Sequence, residues 1–147
     1  MGEFRARFLF GLVDGINGAV GLVIGLLRSH AAAQIILVAL LSRAGSSGVS
    51  MAGAQYESDD TGDPRRLVFG RVAAMGAGYL CSALLPGLGF ALGIHVGLIV
   101  FIPGTLLILV TITWFRSRHE RVQVATATTL VIFGLAVLTG FLASLVA

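Results

Sequence analysis

Five long apolar runs constrain the fold of this chain more than any other feature of its sequence. Each run has close to the roughly 20 residues that a helix needs to cross the hydrocarbon core of a membrane. Charged residues make up only 12% of the chain, against roughly 25% in a soluble domain. The sequence therefore predicts an integral membrane protein in contact with the lipid bilayer, with spans at about 8–27, 31–55, 67–85, 92–115 and 122–146.

The spanning segments are expected to be helices of one transmembrane domain, residues 1–147. Helices and closed barrels are the only structures that satisfy every backbone hydrogen bond inside lipid. Barrel strands alternate apolar and polar residues over roughly ten positions, and these runs do not alternate. The predicted fold class is therefore all-α, with five transmembrane helices and a cytoplasmic linker at 56–66 between the second and third spans.

The first run also has two features of a cleaved signal peptide. Arg5 and Arg7 precede it as a basic region, and the alanines at 31–33 contain the A-x-A pattern of a cleavage site. Against this, the run is too long, contains Asp14, and is followed at once by another apolar run. We therefore interpret it as the first membrane span.

The distribution of arginines predicts the orientation. In a five-span chain the N-terminus, the 56–71 segment and the 116–121 loop lie on one side of the membrane. The arginines on that side are Arg5, Arg7, Arg65, Arg66, Arg71, Arg116, Arg118 and Arg121, whereas the opposite side holds only Arg28. Because positive residues are retained in the cytoplasm, we expect a cytoplasmic N-terminus, an external C-terminus and a location in the bacterial inner (plasma) membrane.

Several classes of function find no support in the sequence. The arginines are scattered rather than grouped into a basic stripe with aromatic residues, so nucleic acid is not an expected partner. The single cysteine, Cys81, excludes an internal disulfide and a CxxC motif. The histidines, His30, His95 and His119, have no nucleophile or acidic partner at motif spacing. We therefore expect neither an enzyme nor a tightly bound cofactor.

Asp14 is the carboxylate of the first span, and a charged residue inside a membrane segment by default marks a functional site. Glycines follow it at helical spacing, so that Asp14, Gly18, Gly21 and Gly25 share one helix face, with Gly11 and Gly15 as a flanking pair. Glycine faces let membrane helices approach closely. The pattern predicts either packing within the chain or a dimer face, and neither alternative explains Asp14.

The second span carries polar residues in the half that is near the predicted cytoplasmic side. A broad helical face there contains Arg43, Ser47, Ser50, Met51 and Gln55. The two spans are antiparallel neighbours, so Asp14 and Asn17 are expected at a depth similar to that of Met51. Carboxylate, amide and thioether ligands together suit Fe²⁺ or Mn²⁺ better than Ca²⁺ or Mg²⁺. The pattern is compatible with a metal site at Asp14 and Met51, although a membrane methionine more often serves packing.

Three segments resemble the vacuolar iron transporter family, the CCC1-like iron and manganese transporters. Asp14-Gly15 is similar to the D-G motif of the family's first helix, residues 50–56 (SMAGAQY) resemble S-M-A-x-G-E-Y, and residues 84–90 (LLPGLGF) resemble L-L-P-x-x-x-F. The resemblance implies a homodimer whose pathway lies between the first two helices of each subunit. It implies transport roles for Asp14 and Met51, in exchange of Fe²⁺ or Mn²⁺ for protons.

The chain departs from that family in three respects. The glutamate-rich insert between the second and third helices is absent, and the acidic residues of the linker that replaces it are expected to be solvated or to bind cations weakly; they are Glu57, Asp59, Asp60 and Asp63. Gln55 stands where the family motif has glutamate. Arg43 adds a positive charge near the predicted midplane.

These departures leave three hypotheses open. The first is a proton-coupled transporter of Fe²⁺ or Mn²⁺. The second is a membrane scaffold that keeps the fold and has lost the ion path, which Arg43 and Gln55 favour. Independently of this, Asp14 can be a structural counter-ion of Arg43 instead of a ligand. The third is a small proton-coupled exporter of organic cations that uses Asp14 as its binding carboxylate.

Overall fold

The structure is a computed structural model that describes residues 2–58, 62–118 and 121–145. It consists of α1 (Gly2–Arg28), α2 (Ala33–Ser58), α3 (Arg65–Leu84), a 3₁₀ helix (Pro86–Leu92), α4 (Ile94–Ser117) and α5 (Val122–Ala143). The described residues include no strand. All five α-helices are long and apolar enough to cross a membrane. The predicted all-α class is therefore confirmed, and the chain is an integral membrane protein.

Helices α1 and α2 extend furthest beyond the predicted spans into polar sequence, and α3 and α4 extend by two residues each. Helix α1 begins at Gly2 rather than near residue 8, and α2 continues to Ser58 rather than ending near residue 55. The segment between α2 and α3 is correspondingly shorter than the predicted 56–66 linker. Hydropathy marks only the lipid-facing length of a helix, whereas a helix continues while its backbone hydrogen bonds are satisfied.

Helix α1 is the central helix of the bundle, and its glycines bring it against two neighbours. A Cβ atom added at Gly11 would lie 2.8 Å from the Tyr79 main-chain nitrogen, and one added at Gly15 would lie 2.6 Å from the Tyr79 carbonyl oxygen. Gly78 of α3 returns the contact against the main chain of Phe8. With no side chains between them, the backbones of α1 and α3 touch.

The second close contact of α1 is with α5. A Cβ atom at Gly140 would lie 2.5 Å from the Gly21 carbonyl oxygen, and one at Gly25 would lie 3.6 Å from the Gly140 carbonyl oxygen. The glycine face of α1 is therefore used for packing inside one chain along most of its length. Ile16, Val23, Ile36, Leu40 and Phe90 form the buried centre of the bundle.

One end of each of the five helices lies at the same end of the bundle. At this end lie the N-termini of α1, α3 and α5 and the C-termini of α2 and α4. We call it the arginine-rich end. Its arginines include Arg5, Arg7, Arg65, Arg66, Arg71, Arg116 and Arg118. Arg28 lies at the opposite end. Polar contacts at the arginine-rich end and the region around Asp14 are described next.

Candidate functional site

Asp14 lies on the side of α1 that the other helices leave uncovered. Phe10 and Asp14, one turn apart, are both exposed, whereas Gly15 and Ile16 beside them are buried. We call this side, with Gly18 one turn further along, the open face of α1. The Asp14 carboxylate forms no hydrogen bond or ion pair with any residue that the structure describes. A carboxylate inside a membrane-spanning segment marks a candidate functional site.

Arg43 of α2 reaches the open face at Gly18. A Cβ atom added at Gly18 would lie 2.5 Å from both Cζ and Nε of Arg43, so the guanidinium rests directly on the α1 backbone. We call this the Gly18 contact. The Nε atom of Arg43 is buried and has no hydrogen-bond partner. A side chain at position 18 would displace the guanidinium from this place.

Arg43 and Asp14 are neighbours that do not form an ion pair. Gly18 follows Asp14 by four residues, which places the guanidinium one helical turn from the carboxylate. Within the described residues, the ion pairs involve Arg71 and not Arg43. The hypothesis that Asp14 is the direct counter-ion of Arg43 is therefore not realised inside one chain.

Asn17 faces away from α2. It lines a cavity of about 10 Å³ between α1, α4 and α5, together with Ile112, Arg116 and Thr129. Space of that size holds about one water molecule. The predicted layer shared by Asn17 and the polar face of α2 is therefore not formed.

Met51 is partly buried and packs against the cluster of Ala44, Tyr79 and Ala83 between α2 and α3. This is the packing role that a membrane methionine usually has. Ser47, one turn before it, is also partly buried, and Ser50 is exposed. Met51 is thus held at the α3 side of α2, away from the Gly18 contact.

Gln55 has a structural partner. Its side chain is buried, and its Oε1 atom accepts a hydrogen bond of 2.6 Å from Nη1 of Arg7. The bond joins the first turns of α1 to the last turns of α2. The sequence placed Gln55 on the pathway and gave no signal for Arg7, since nothing in the spacing links residues 48 positions apart.

A buried ion-pair cluster was also missed by the sequence analysis. Arg71 of α3 is only 4% exposed and donates to Glu3 at 2.6 Å and to Asp63 at 2.9 Å. The two ion pairs connect the start of α1, through Glu3, and the segment before α3, through Asp63, to α3. Asp63 is therefore engaged with an arginine rather than being a free carboxylate of the linker. Asp59, Asp60 and His119 lie outside the described residues.

The structure thus brings together only part of the predicted site. Asp14, Gly18 and Arg43 meet at the open face, whereas Asn17, Met51 and Gln55 face other neighbours. The described residues contain no group of three or more His, Cys, Asp or Glu side chains that can hold a metal ion. A single chain therefore offers one carboxylate at the open face and no complete ligand shell there.

No family model, curated protein or solved structure matches this chain. Its functional interpretation accordingly rests on the five-helix membrane fold and on the residues at the open face. Of these, Asp14 is the one whose chemistry the fold does not use.

Proposed function

We propose that this protein transports divalent transition-metal ions, Fe²⁺ or Mn²⁺, across the membrane and acts as a homodimer. The observation that carries the proposal is Asp14, a carboxylate with no partner among the described residues, on the exposed side of α1. Apart from Asn17, the membrane segment of this helix is otherwise apolar. A negative charge at that depth is unfavourable in lipid. It is favourable where a cation binds.

A second copy of the chain completes the proposed site. When two open faces meet about a two-fold axis, the same surface is used by both copies. The two Asp14 carboxylates then face one pathway, remote from lipid. In this arrangement Asp14 supplies the charge, and Met51 is a secondary ligand because it must leave its packing position against Tyr79 to contribute.

The proposal includes coupling to protons. Protonation of Asp14 removes the negative charge that attracts the metal ion, so a proton and a cation compete for the same oxygen atoms. Arg43 of α2, which lies at the Gly18 contact one turn from Asp14, is a neighbouring positive charge. With the arginine-rich end in the cytoplasm, and the bacterial inner membrane as its location, the competing proton arrives from the external side.

Arg43 favours a second candidate, the scaffold without transport activity. A positive charge beside the site repels a divalent cation twice as strongly as it repels a monovalent one. If Arg43 is fixed at the Gly18 contact, that repulsion opposes metal binding at Asp14. The two candidates differ in one measurable property, which is whether any cation crosses the membrane.

The test is transport by purified protein in liposomes that contain a dye sensitive to Mn²⁺ and Fe²⁺. We expect Asp14→Asn, which keeps the shape and removes the charge, to lower the initial uptake rate by about tenfold or more, the effect of 1.4 kcal/mol or more. Glu57→Gln is the matched control, because Glu57 is an exposed carboxylate at the arginine-rich end.

Equal uptake by Asp14→Asn and the unmodified chain would show that the proposed site is wrong. Absence of uptake by every variant would favour the scaffold. A lipophilic organic cation, tested in the same liposomes, separates the third hypothesis: its transport in place of Mn²⁺ would identify an organic-cation exporter.

A further inference from the structure

We propose that Arg43 determines the cation specificity of the Asp14 site, as a tethered cation that competes with the transported ion for the Asp14 carboxylate. The inference rests on the proposed function of Asp14 and assigns a role to Arg43 and Gly18 that the transport proposal does not require. In this role Gly18 is the position at which the guanidinium rests when the carboxylate is free to bind metal.

At the Gly18 contact, the guanidinium of Arg43 lies against the α1 backbone without being bonded to it. Nε of Arg43 is buried against α1 without a hydrogen-bond partner. The described residues place no carboxylate within ion-pairing distance of the guanidinium. A guanidinium that has no ion pair within the described residues is attracted to the nearest carboxylate, and on the open face that carboxylate is Asp14.

Asp14 is within reach of the Arg43 side chain. Residues four apart on a helix have Cβ atoms about 5–6 Å apart on the same face. The guanidinium therefore lies one turn from the carboxylate, at the end of a side chain with several rotatable bonds. Rotation of that side chain, with no movement of α1 or α2, changes the distance between the two charges.

Competition from a tethered guanidinium discriminates between cations by charge. The attraction of a carboxylate for an ion is proportional to the charge of the ion. A monovalent ion gains no more attraction than the guanidinium that it must displace, whereas a divalent ion gains twice as much. Arg43 is thereby expected to exclude monovalent ions from Asp14 and to weaken divalent binding without abolishing it.

Two substitutions have opposite expected effects. Arg43→Met keeps an unbranched side chain and removes the competing charge. The affinity of the Asp14 site for Mn²⁺ should therefore rise by about tenfold. Gly18→Ala removes the space that the guanidinium occupies, because the three atoms nearest to the added methyl group all belong to the end of the Arg43 side chain. We expect the guanidinium to move towards Asp14. Mn²⁺ affinity should then fall by about threefold, a change of about 0.7 kcal/mol.

Mn²⁺ binding is measured by electron paramagnetic resonance on full-length protein in lipid nanodiscs, with Na⁺ as the monovalent competitor. In the double variant Gly18→Ala/Arg43→Met, the alanine should have no effect beyond that of Arg43→Met alone. Gly45→Ala is the control, since no heavy atom lies within 4 Å of a Cβ atom at Gly45. Loss of Mn²⁺ selectivity over Na⁺ in Arg43→Met would support the proposal directly.

A second measurement requires no metal. In the Arg43→Lys variant the new amine can be coupled to Asp14 by a membrane-permeant carbodiimide, which joins an amine and a carboxylate without a spacer. We expect a cross-link within one chain, seen by peptide mass spectrometry in protein of monomer mobility. Gly18→Ala in the same background should increase its yield.

The results separate this inference from the proposed function. Unchanged Mn²⁺ affinity in Arg43→Met, with binding that still depends on Asp14, overturns the role of Arg43 and leaves the transport proposal standing. A cross-link that forms only between two chains, or none at all, also overturns it. If no variant binds Mn²⁺ through Asp14, both proposals fail, even where the cross-link forms.

Discussion

Two arginines in this chain, Arg71 and Arg43, are held in opposite ways. Arg71 is 4% exposed at the arginine-rich end and has carboxylate partners at 2.6 and 2.9 Å. Arg43 lies near the middle of α2 against the α1 backbone at Gly18 and has no ion pair with a described residue. A buried arginine that serves stability is found with its partners. Arg43 lacks them, one helical turn from a carboxylate that lacks them too.

Two glycines of α1 show the same difference. Gly15 faces the carbonyl oxygen of Tyr79 and the hydroxyl of Ser82, whereas the three atoms nearest to a Cβ atom at Gly18 all belong to the guanidinium of Arg43. One contact is made by atoms that are fixed in place, and the other by the end of a flexible side chain. The α3 side of α1 is therefore a rigid seam, and the open face is adjustable.

The largest effect is expected from Gly15→Ala. The added Cβ atom would lie 2.6 Å from the Tyr79 carbonyl oxygen, so helices α1 and α3 must separate. We expect a loss of about 3 kcal/mol in the free energy of unfolding, measured by titration with dodecyl sulfate and followed by circular dichroism. Gly18→Ala should cost less than about 1 kcal/mol, because a side chain can move aside. Similar losses for both variants would contradict the distinction between seam and open face.

Arg71→Met should have the next largest effect. It removes both ion pairs, and the freed carboxylates, Glu3 at 72% and Asp63 at 39% exposure, can be solvated. We therefore expect a loss of about 2 kcal/mol, below the 3–5 kcal/mol typical when a buried charge is left unpaired. Arg66→Met, an exposed site on the same helix, is the control in the same titration. An unchanged free energy of unfolding in Arg71→Met would mean that the cluster does not stabilise the fold.

Gln55→Leu tests the smaller polar contact at the arginine-rich end. The change removes the acceptor of the 2.6 Å hydrogen bond from Arg7. An expected loss of about 1 kcal/mol follows from the net value of one hydrogen bond. Gln34→Leu, at an exposed position of the same helix, should leave the unfolding free energy unchanged. Equal free energies of unfolding in the two variants would show that the Arg7–Gln55 hydrogen bond contributes nothing to stability.

The smallest change in stability is expected from Arg43→Met. No ion pair with a described residue is lost, and a buried nitrogen atom without a hydrogen-bond partner is removed. The free energy of unfolding should therefore stay within about 0.5 kcal/mol or increase. This variant sharpens the comparison with Arg71→Met, since the chemical change is identical. A loss as large as that of Arg71→Met would show that Arg43 is a structural residue.

The sequence was sufficient for the fold class because hydropathy and span length report directly on lipid contact. It also singled out Asp14, since a lone carboxylate in an apolar run stands out without any structure. It did not assign the glycines to their neighbours: Gly11 and Gly15 contact α3, Gly18 contacts Arg43, and Gly21 and Gly25 contact α5. Helical spacing defines a face, and the identity of the neighbour depends on how the whole bundle packs.

The predicted ligand layer shows a second limit. The similar depths of Asp14 and Met51 in the membrane predict that they share one layer. Depth does not give the direction in which a side chain points. Met51 points to the cluster with Tyr79, and Gln55 is bonded to Arg7. Contacts between residues this far apart in sequence follow from the rotation of each helix about its axis. Local pattern does not encode that rotation.

The most direct test of the metal site is an anomalous-scattering map of crystals grown from the full chain with Mn²⁺. We predict a manganese peak at the open face of α1, within coordination distance of the Asp14 carboxylates of two copies related by a two-fold axis. A peak confined to the carboxylates at the arginine-rich end, with none at Asp14, would contradict the proposed site.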